Sequence, residues 1–421
     1  MTLNDWLHRL ERLHYKAIDM GLERVSQVAQ RLDLLSDLPF IFTVGGTNGK
    51  GSTVAFLESV LLAHGYRVGV YTSPHLIDFN ERVRIDGMQC DDAALIAAFE
   101  QIEAQRGDVS LTYFEFTTLA AMLVFKQRGL DVLVLEVGLG GRLDAVNIWD
   151  ADIAMVTSID LDHQQFLGDT REKIGLEKIG IGRAARPLLM GEPDAPELVL
   201  NAARSLGCRL LQIGVEFAGE QGEAGRWQFR GLDTAGAAVR RQDLPPTHLY
   251  WRNAVVALQA LLLSPFRLEP GLTASSLASA ALTGRQQIVQ QDPAVMLDVG
   301  HNPHAAAHLA KSLVRSGYRH VHCVIGMLGD KAVADTLVEL LPAVDRWYPA
   351  TLAGPRGLAG ESIASTLLDA GALTVAAAAS PRQAYRAAFS EAGKEDLILV
   401  FGSFYTVADV IQYRRSMSAK G

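Results

Sequence analysis

Phe42-Thr43-Val44-Gly45-Gly46-Thr47-Asn48-Gly49-Lys50-Gly51-Ser52-Thr53 decides how this chain is read. The apolar run Phe40 to Val44 predicts a buried parallel strand, and a helical pattern runs from Val54 to Ala63. Strand, glycine-rich turn with a lysine, then helix is the order that cradles a nucleotide triphosphate. Backbone N–H groups and the helix N-terminus hold the phosphates, and the lysine offsets their charge. The strict pattern places Gly at 44 and Ser or Thr at 51, where Val44 and Gly51 stand. This shortened variant therefore draws its support from the rest of the chain.

A length of 421 residues provides for two or three domains with sizeable cores. A net charge of −8 argues against a general nucleic-acid or anionic-membrane binder, which needs a basic face. It leaves room for a small anionic ligand, which feels local dipoles and a few lysines. The 3 cysteines, Cys90, Cys208 and Cys323, are far apart and odd in number. They give neither a disulfide framework nor zinc spacing, and a reducing compartment follows. The amphipathic N-terminus (Leu3, Trp6, Leu7, Leu10, Leu13) lacks a signal peptide's apolar centre, and no run approaches a bilayer span. The expectation is a soluble cytoplasmic protein.

Short apolar runs alternate with helical patterns, which predicts a parallel sheet covered by helices. Strands are expected at Phe40–Val44, Arg67–Tyr71, Val132–Val137, Ile153–Ile159 and Pro187–Met190. Residues 214–247, richer in Gly, Gln and Arg, read as strand-and-turn material, followed by a helix from Tyr250 to Leu263. A second α/β rhythm places strands at Val295–Val299, His322–Ile325, Trp347–Ala350, Leu373–Ala376 and Leu397–Phe401. The boundary falls at Leu282-Thr283-Gly284, dividing 1–283 from 284–421. Two such domains in series predict a ligand cleft between them.

Several strand ends carry chemistry. Glu136 ends an apolar strand and runs into a glycine-rich turn reaching Asn147, which suits either Mg²⁺ binding or a turn cap. Ser158 to His163 ends another strand with ligand-type residues, although a lone histidine is more often a structural hydrogen-bonder. Ser73, in Tyr71-Thr72-Ser73-Pro74-His75, has a hydroxyl for a metal or simply opens a Ser-Pro turn. These ends and the phosphate loop would all open onto one sheet edge. Lys178, by pattern alone, is a solvated helix lysine. Asp298 ends a strand where an acidic side chain suits a ribose hydroxyl pair. His301, His304 and His308 follow it, without the H-E-x-x-H arrangement of a zinc site.

Taken in order, Thr47 to Ser52, Tyr71 to Leu76, Glu81-Arg82-Val83, Leu111 to Glu115, Glu136 to Asn147, Leu161-Asp162-His163, Glu177-Lys178, Asp298 with His301 to His304, Gly326-Met327-Leu328 with Asp330-Lys331, and Gly402-Ser403-Phe404 resemble the folylpolyglutamate synthase family. The chain is most similar to its bifunctional bacterial members, relatives of the Mur ligases. The resemblance spans about Ile18 to Val407 and implies an N-terminal P-loop ATPase domain with a parallel sheet plus a smaller Rossmann-like α/β domain.

For the site, the resemblance implies that Thr47, Asn48, Gly49 and Lys50 hold ATP phosphates, with Gly51 and Ser52 completing the loop. Asn253, Arg285 and Asp298 match ATP-binding positions. Ser73, Glu136 and His163 match Mg²⁺ ligands. Lys178 matches a lysine N6-carboxylated by CO₂, whose carbamate would serve a second Mg²⁺. Asp19-Met20-Gly21-Leu22, Thr112-Tyr113-Phe114-Glu115 and Leu143-Asp144-Ala145 match the pterin-substrate site. There Phe114 either stacks on a ring or packs in the core, and Asp144 would accept from the pterin. The chain departs from the family pattern at Asp160, Val146, Ile179, Val299-Gly300 and Phe404, and none of these removes a ligand group.

The implied activity is an ATP-dependent carboxylate–amine ligase. It joins L-glutamate to 7,8-dihydropteroate and to tetrahydrofolate through an acyl phosphate, with His301 and Asp330 as candidates to help deprotonate the glutamate amine. A monomer is expected. The rivals are a folylpolyglutamate synthase alone, a Mur-type cell-wall ligase, and a P-loop phosphotransferase or nucleotide switch.

Overall fold

The computed structural model describes residues 1–418, which divide into two compact units, Met1–Ala280 and a second beginning at Ala281. The first unit is built on eight strands. They are β1 (Phe40–Gly45), β2 (Val68–Tyr71), β3 (Val83–Ile85), β4 (Met88–Gln89), β5 (Val132–Glu136), β6 (Ile153–Val156), β7 (Pro187–Met190) and β8 (Arg209–Gln212). They lie in the order β4-β3-β2-β5-β1-β6-β7-β8. The ladder β2-β5-β1-β6-β7-β8 is parallel, and the β2–β3 and β3–β4 pairings at one edge are antiparallel. Helices cover both faces, so the central strands are buried throughout and read as unbroken apolar runs.

Register brings the strand ends together. Val44 lies opposite Glu136 on one side, and Gly45 lies opposite Val156 on the other. The consecutive strands β5 and β6 flank β1 on opposite sides. From the adjacent carboxyl ends of β1 and β5 the connections run in opposite directions, to β2 and to β6, which opens a crevice there. The core beneath includes Trp149, Phe99, Phe116 and Phe56, all fully buried. Buried Trp149 donates its indole N–H to Leu34 O at 2.7 Å.

Residues 214–247 form a separate antiparallel sheet of β9 (Ala218–Gln221), β10 (Trp227–Leu232) and β11 (Ala238–Leu244). A helix at Trp251–Leu262 follows. The second unit has β12 (Gln287–Gln291), β13 (Ala294–Asp298), β14 (Val321–Ile325), β15 (Arg346–Pro349) and β16 (Leu397–Phe401), in the order β12-β13-β16-β14-β15. Only β12 runs antiparallel.

Three expectations are corrected, and four short strands were missed. The strand expected at Ile153–Ile159 stops at Val156, because Thr157 and Ser158 turn to bond the phosphate loop. Leu373–Ala376 is not a strand. Thr374 and Ala378 make isolated bridges to Trp347 and Ala350, and the alanine-rich segment has few side chains to pack on a sheet face. The helix expected from Val54 begins at Lys50. The edge strands β3, β4, β8 and β12 are short or amphiphilic and were not anticipated. Among the described residues, no helix is long and apolar enough to cross a membrane.

Candidate active site

The phosphate loop is shaped by its glycines and braced by β6. Gly49 has φ 88°, a left-handed conformation that favours glycine, and it caps the 14-residue helix Lys50–Ala63. A Cβ at Gly49 would lie 2.6 Å from the Asn253 side chain, so loop and amide are in close contact. Asn253 sits in the first turn of the helix Trp251–Leu262 and is buried. Behind the loop, Asn48 N–H donates to Ser158 Oγ at 2.9 Å, and Thr157 Oγ1 donates to Asn48 O at 2.6 Å. Thr47 Oγ1 donates to Asp160 O at 3.1 Å. Lys50 Nζ folds back onto Gly46 O at 2.9 Å and Thr47 O at 3.3 Å. The first turn of the helix leaves backbone N–H groups without intrahelical partners, a setting suited to an anion.

The neighbouring strand ends carry the oxygen ligands. Ser73, just past β2, donates its N–H to Glu136 Oε2 at 3.3 Å, so these two candidates meet at adjacent strand ends. The loop holding Ser73 is tied down by Glu81, which accepts from the N–H groups of Leu76, Ile77 and Asp78 at 2.7, 2.8 and 2.9 Å. Arg82 donates to His75 Nδ1 at 2.8 Å, and burial and that guanidinium pull His75 down to about 4. His163 lies beyond β6 in a left-handed conformation with φ 50°. Among the described residues, no three His, Cys, Asp or Glu side chains gather to hold a metal ion by themselves. The donor set nonetheless fits Mg²⁺. That ion keeps several waters and takes one or two carboxylates plus substrate phosphates, so a hydroxyl and a carboxylate beside a phosphate loop suit it.

Two further groups sit within the electrostatic reach of Lys50. Lys178, on the helix Arg171–Ile179, is buried. Burial and the Lys50 charge pull its ammonium down from 10.5 to about 7. The solvated-lysine reading is therefore corrected. Asp144 is buried too. Desolvation pushes its carboxyl up to about 7, against backbone hydrogen bonds and the Lys50 charge. Its two oxygens accept from Leu139 N at 2.8 Å and Val146 N at 3.1 Å, so part of its accepting capacity holds its own turn.

The other candidates from the first unit also converge. Thr112 and Glu115 form a reciprocal cap at the start of the helix Tyr113–Lys126, with Glu115 buried. The Phe114 ring lies over Gly138, where a Cβ would approach it to 2.6 Å. Met20 Cε lies 3.5 Å from where a Cβ on Gly140 would stand. Leu143 and Ala145 flank Asp144 in the same turn.

In the second unit, Asp298 ends β13 and is buried, which raises its carboxyl. It accepts from Gly300 N at 2.7 Å and Gln286 N at 3.1 Å. Arg285 lies 5.7 Å from the Phe404 ring centroid, so the departure at Phe404 provides an aromatic face to that guanidinium. His301 Nδ1 is 3.0 Å from Val299 O. Asp330 is paired with Arg356 at 2.6 Å. Burial pushes its carboxyl up, but the Arg356 hydrogen bond and charge outweigh that and leave it below the ordinary value. A carboxylate held in that way is a weak base.

The sequence did not point to Arg24, Arg356, or the buried Glu192, whose Oε2 accepts from Ile159 N at 2.9 Å behind the loop leading to His163. Arg171 joins Glu192 to Asp194. These are long-range pairs with no fixed spacing along the chain.

A phosphate-loop α/β unit followed by a separate α/β unit is the architecture of the Mur ligases. Residues 44–217 match the family model of the Mur ligase middle domain, and residues 284–404 match that of the Mur ligase glutamate ligase domain. Within that class, the chain belongs to the dihydrofolate synthase/folylpolyglutamate synthase family. It is 48% identical to the dihydrofolate synthase/folylpolyglutamate synthase of Escherichia coli K12, over 98% of this chain and 96% of that protein. It is 43% identical to that of Haemophilus influenzae, over 97% and 96%. The structure of E. coli FolC in complex with DHPP and ADP superposes with a TM-score of 0.94 at 47% identity, covering 99% of both chains. A bifunctional folylpolyglutamate synthase/dihydrofolate synthase with Mn, AMPPNP and L-glutamate bound gives a TM-score of 0.90 at 45% identity, covering 99% of this chain and 98% of that one.

Proposed function

We propose that this chain is an ATP-dependent amide ligase. It adds L-glutamate to 7,8-dihydropteroate, forming dihydrofolate, and to tetrahydrofolate, forming polyglutamates. The observation that carries the reading is the sheet edge where the phosphate loop, Glu136, Ser73 and Asp144 stand at adjoining strand ends and turns, with Lys178, buried on the helix Arg171–Ile179, also within reach of the Lys50 charge. Residues 1–283 serve as the ATP-binding domain with the pterin site, and residues 284–421 as the ligase domain.

The roles follow from chemistry. Thr47, Asn48, Gly49, Lys50, Gly51 and Ser52 bind the triphosphate, with Asn253, Arg285 and Asp298 as further ATP-binding residues. A substrate carboxylate oxygen attacks the γ-phosphorus, the bond to the β-phosphate oxygen breaks, and ADP leaves. Lys50 offsets charge on the transferring group. The acyl phosphate is then attacked by the glutamate amine after it loses a proton, and inorganic phosphate departs with the attacking oxygen. Arg356 disfavours Asp330 as the acceptor of that proton, which leaves His301 the stronger candidate.

Ser73, Glu136 and His163 would hold Mg²⁺, and Lys178 as a carbamate would serve a second ion. When bound, the metal supplies Lewis-acid polarisation of phosphoryl oxygens. The carbamate reading is supported by Lys178 itself. An amine shifted to about 7 is largely neutral at mildly alkaline pH, and only a neutral amine adds CO₂. Asp19, Met20, Gly21, Leu22, Thr112, Tyr113, Phe114, Glu115, Leu143, Asp144 and Ala145 would form the pterin site. Three free cysteines fit a reducing compartment such as the cytoplasm, and a monomer is expected there.

The test is ADP release with each substrate omitted in turn. The reading expects release that needs ATP, a pteroate or folate, and glutamate together. Release indifferent to glutamate would point to a phosphotransferase. Activity with tetrahydrofolate but none with dihydropteroate would leave a folylpolyglutamate synthase alone.

A further inference from the structure

Two segments far apart in sequence, the loop Leu13–Leu22 and the residues 110–115 leading into the helix Tyr113–Lys126, are joined chiefly through the Arg24 side chain. Arg24 Nη1 donates to Asp19 Oδ2 at 2.8 Å, and Nη2 donates to Asp19 O at 2.6 Å. The same guanidinium reaches Glu115, with Nη2 3.1 Å from Oε1 and Nε donating to Oε2 at 3.4 Å. His14 adds a second brace, standing 3.2 Å from Asp19 Oδ2 and 2.8 Å from Ser110 Oγ. The braced segments carry Met20 and Phe114, which lie against Gly140 and Gly138 of one turn. Leu139 N–H, between those glycines, is held by Asp144.

We propose that Arg24 is a positioning residue that sets specificity for the pterin substrate, by fixing the distance between the Met20 loop and the Phe114 helix. The proposal rests on the reading above that these segments receive the pterin. A planar fused ring needs two walls at a fixed separation. A guanidinium fork that bonds a side chain and a backbone carbonyl on one wall and a carboxylate on the other sets that separation rigidly. Lysine, a single point charge, cannot serve both walls. Arg24 bonds Asp19 and Glu115, neither of them in the phosphate loop, so its loss should spare the nucleotide.

The experiment is steady-state kinetics of the full chain, comparing wild type with Arg24→Ala and Arg24→Lys. The expected result is a rise of about 10-fold or more in KM for dihydropteroate in Arg24→Ala, with KM for ATP and saturating kcat within about twofold. Arg24→Lys should fall between the two. Should Arg24→Ala fail to fold, Arg24→Gln, which keeps a donor for Asp19 but loses the charge and the fork that reach Glu115, must show the same one-substrate rise. An unmoved KM for dihydropteroate in a folded variant, or an equal rise for ATP, overturns the proposal while leaving the ligase reading intact. A wild type with no glutamate-dependent ADP release would overturn the ligase reading and this proposal with it.

Discussion

Replacing Lys178 with methionine should stabilise the protein while disabling it. The side chain is 3% exposed, and its ammonium is pulled from 10.5 to about 7 by burial and by Lys50. Between those two values the folded state binds fewer protons than the unfolded state, so stability rises with pH across that window. The penalty is fully present below about pH 7, shrinks as pH rises from there, and is gone above 10.5. It amounts to on the order of 4 kcal/mol at pH 7 and about 1 kcal/mol at pH 9.5. Methionine has a similar length and no charge, so Lys178→Met should recover much of the difference at pH 7 and little at pH 9.5. Urea unfolding of both proteins in CO₂-free buffer at the two pH values measures this directly. ADP release should collapse in the variant at either pH, because a thioether cannot form a carbamate. If wild type and variant unfold with the same pH dependence, the lysine is not held at a depressed value and the reasoning fails.

Gly49→Ala forces an L side chain into a left-handed backbone at about 1–2 kcal/mol, and its Cβ meets Asn253, so ADP affinity by calorimetry should fall about 10-fold or more. An unchanged affinity would mean the loop does not hold nucleotide in this form. Glu136→Gln keeps an acceptor for Ser73 N–H, so circular dichroism should be unaltered. Its turnover should drop by more than the roughly 10- to 100-fold typical of outer-shell changes at a metal. Phe404→Leu removes an aromatic face from Arg285 worth about 1 kcal/mol, which should raise KM for ATP about fivefold with little change in kcat.

The central strands could be read from the chain because both faces of a parallel sheet are covered, leaving no polar alternation in Phe40–Gly45 or Leu397–Phe401. The phosphate loop could be read because its glycines and lysine have fixed local spacing. Edge strands such as Met88–Gln89 and Gln287–Gln291 gave no such signal, since their pairing is decided by neighbours. Lys178 looked like a solvated lysine because burial is a property of packing and not of the i, i+4 pattern around it. Arg24 and Arg356 were invisible for the related reason that their carboxylate partners lie 91 and 26 residues away for Glu115 and Asp330. Asp144 shows the two levels meeting. Its place after a glycine-rich turn was legible, but its carboxyl near neutrality comes from the buried turn it caps.

Dihydropteroate labelled with ¹⁸O in its carboxylate, incubated with enzyme, ATP and glutamate, tests the chemistry most directly. If the carboxylate oxygen attacks the γ-phosphorus at this sheet edge, mass spectrometry will find one ¹⁸O in each inorganic phosphate released. Phosphate free of label, alongside labelled dihydrofolate, would contradict the acyl-phosphate route.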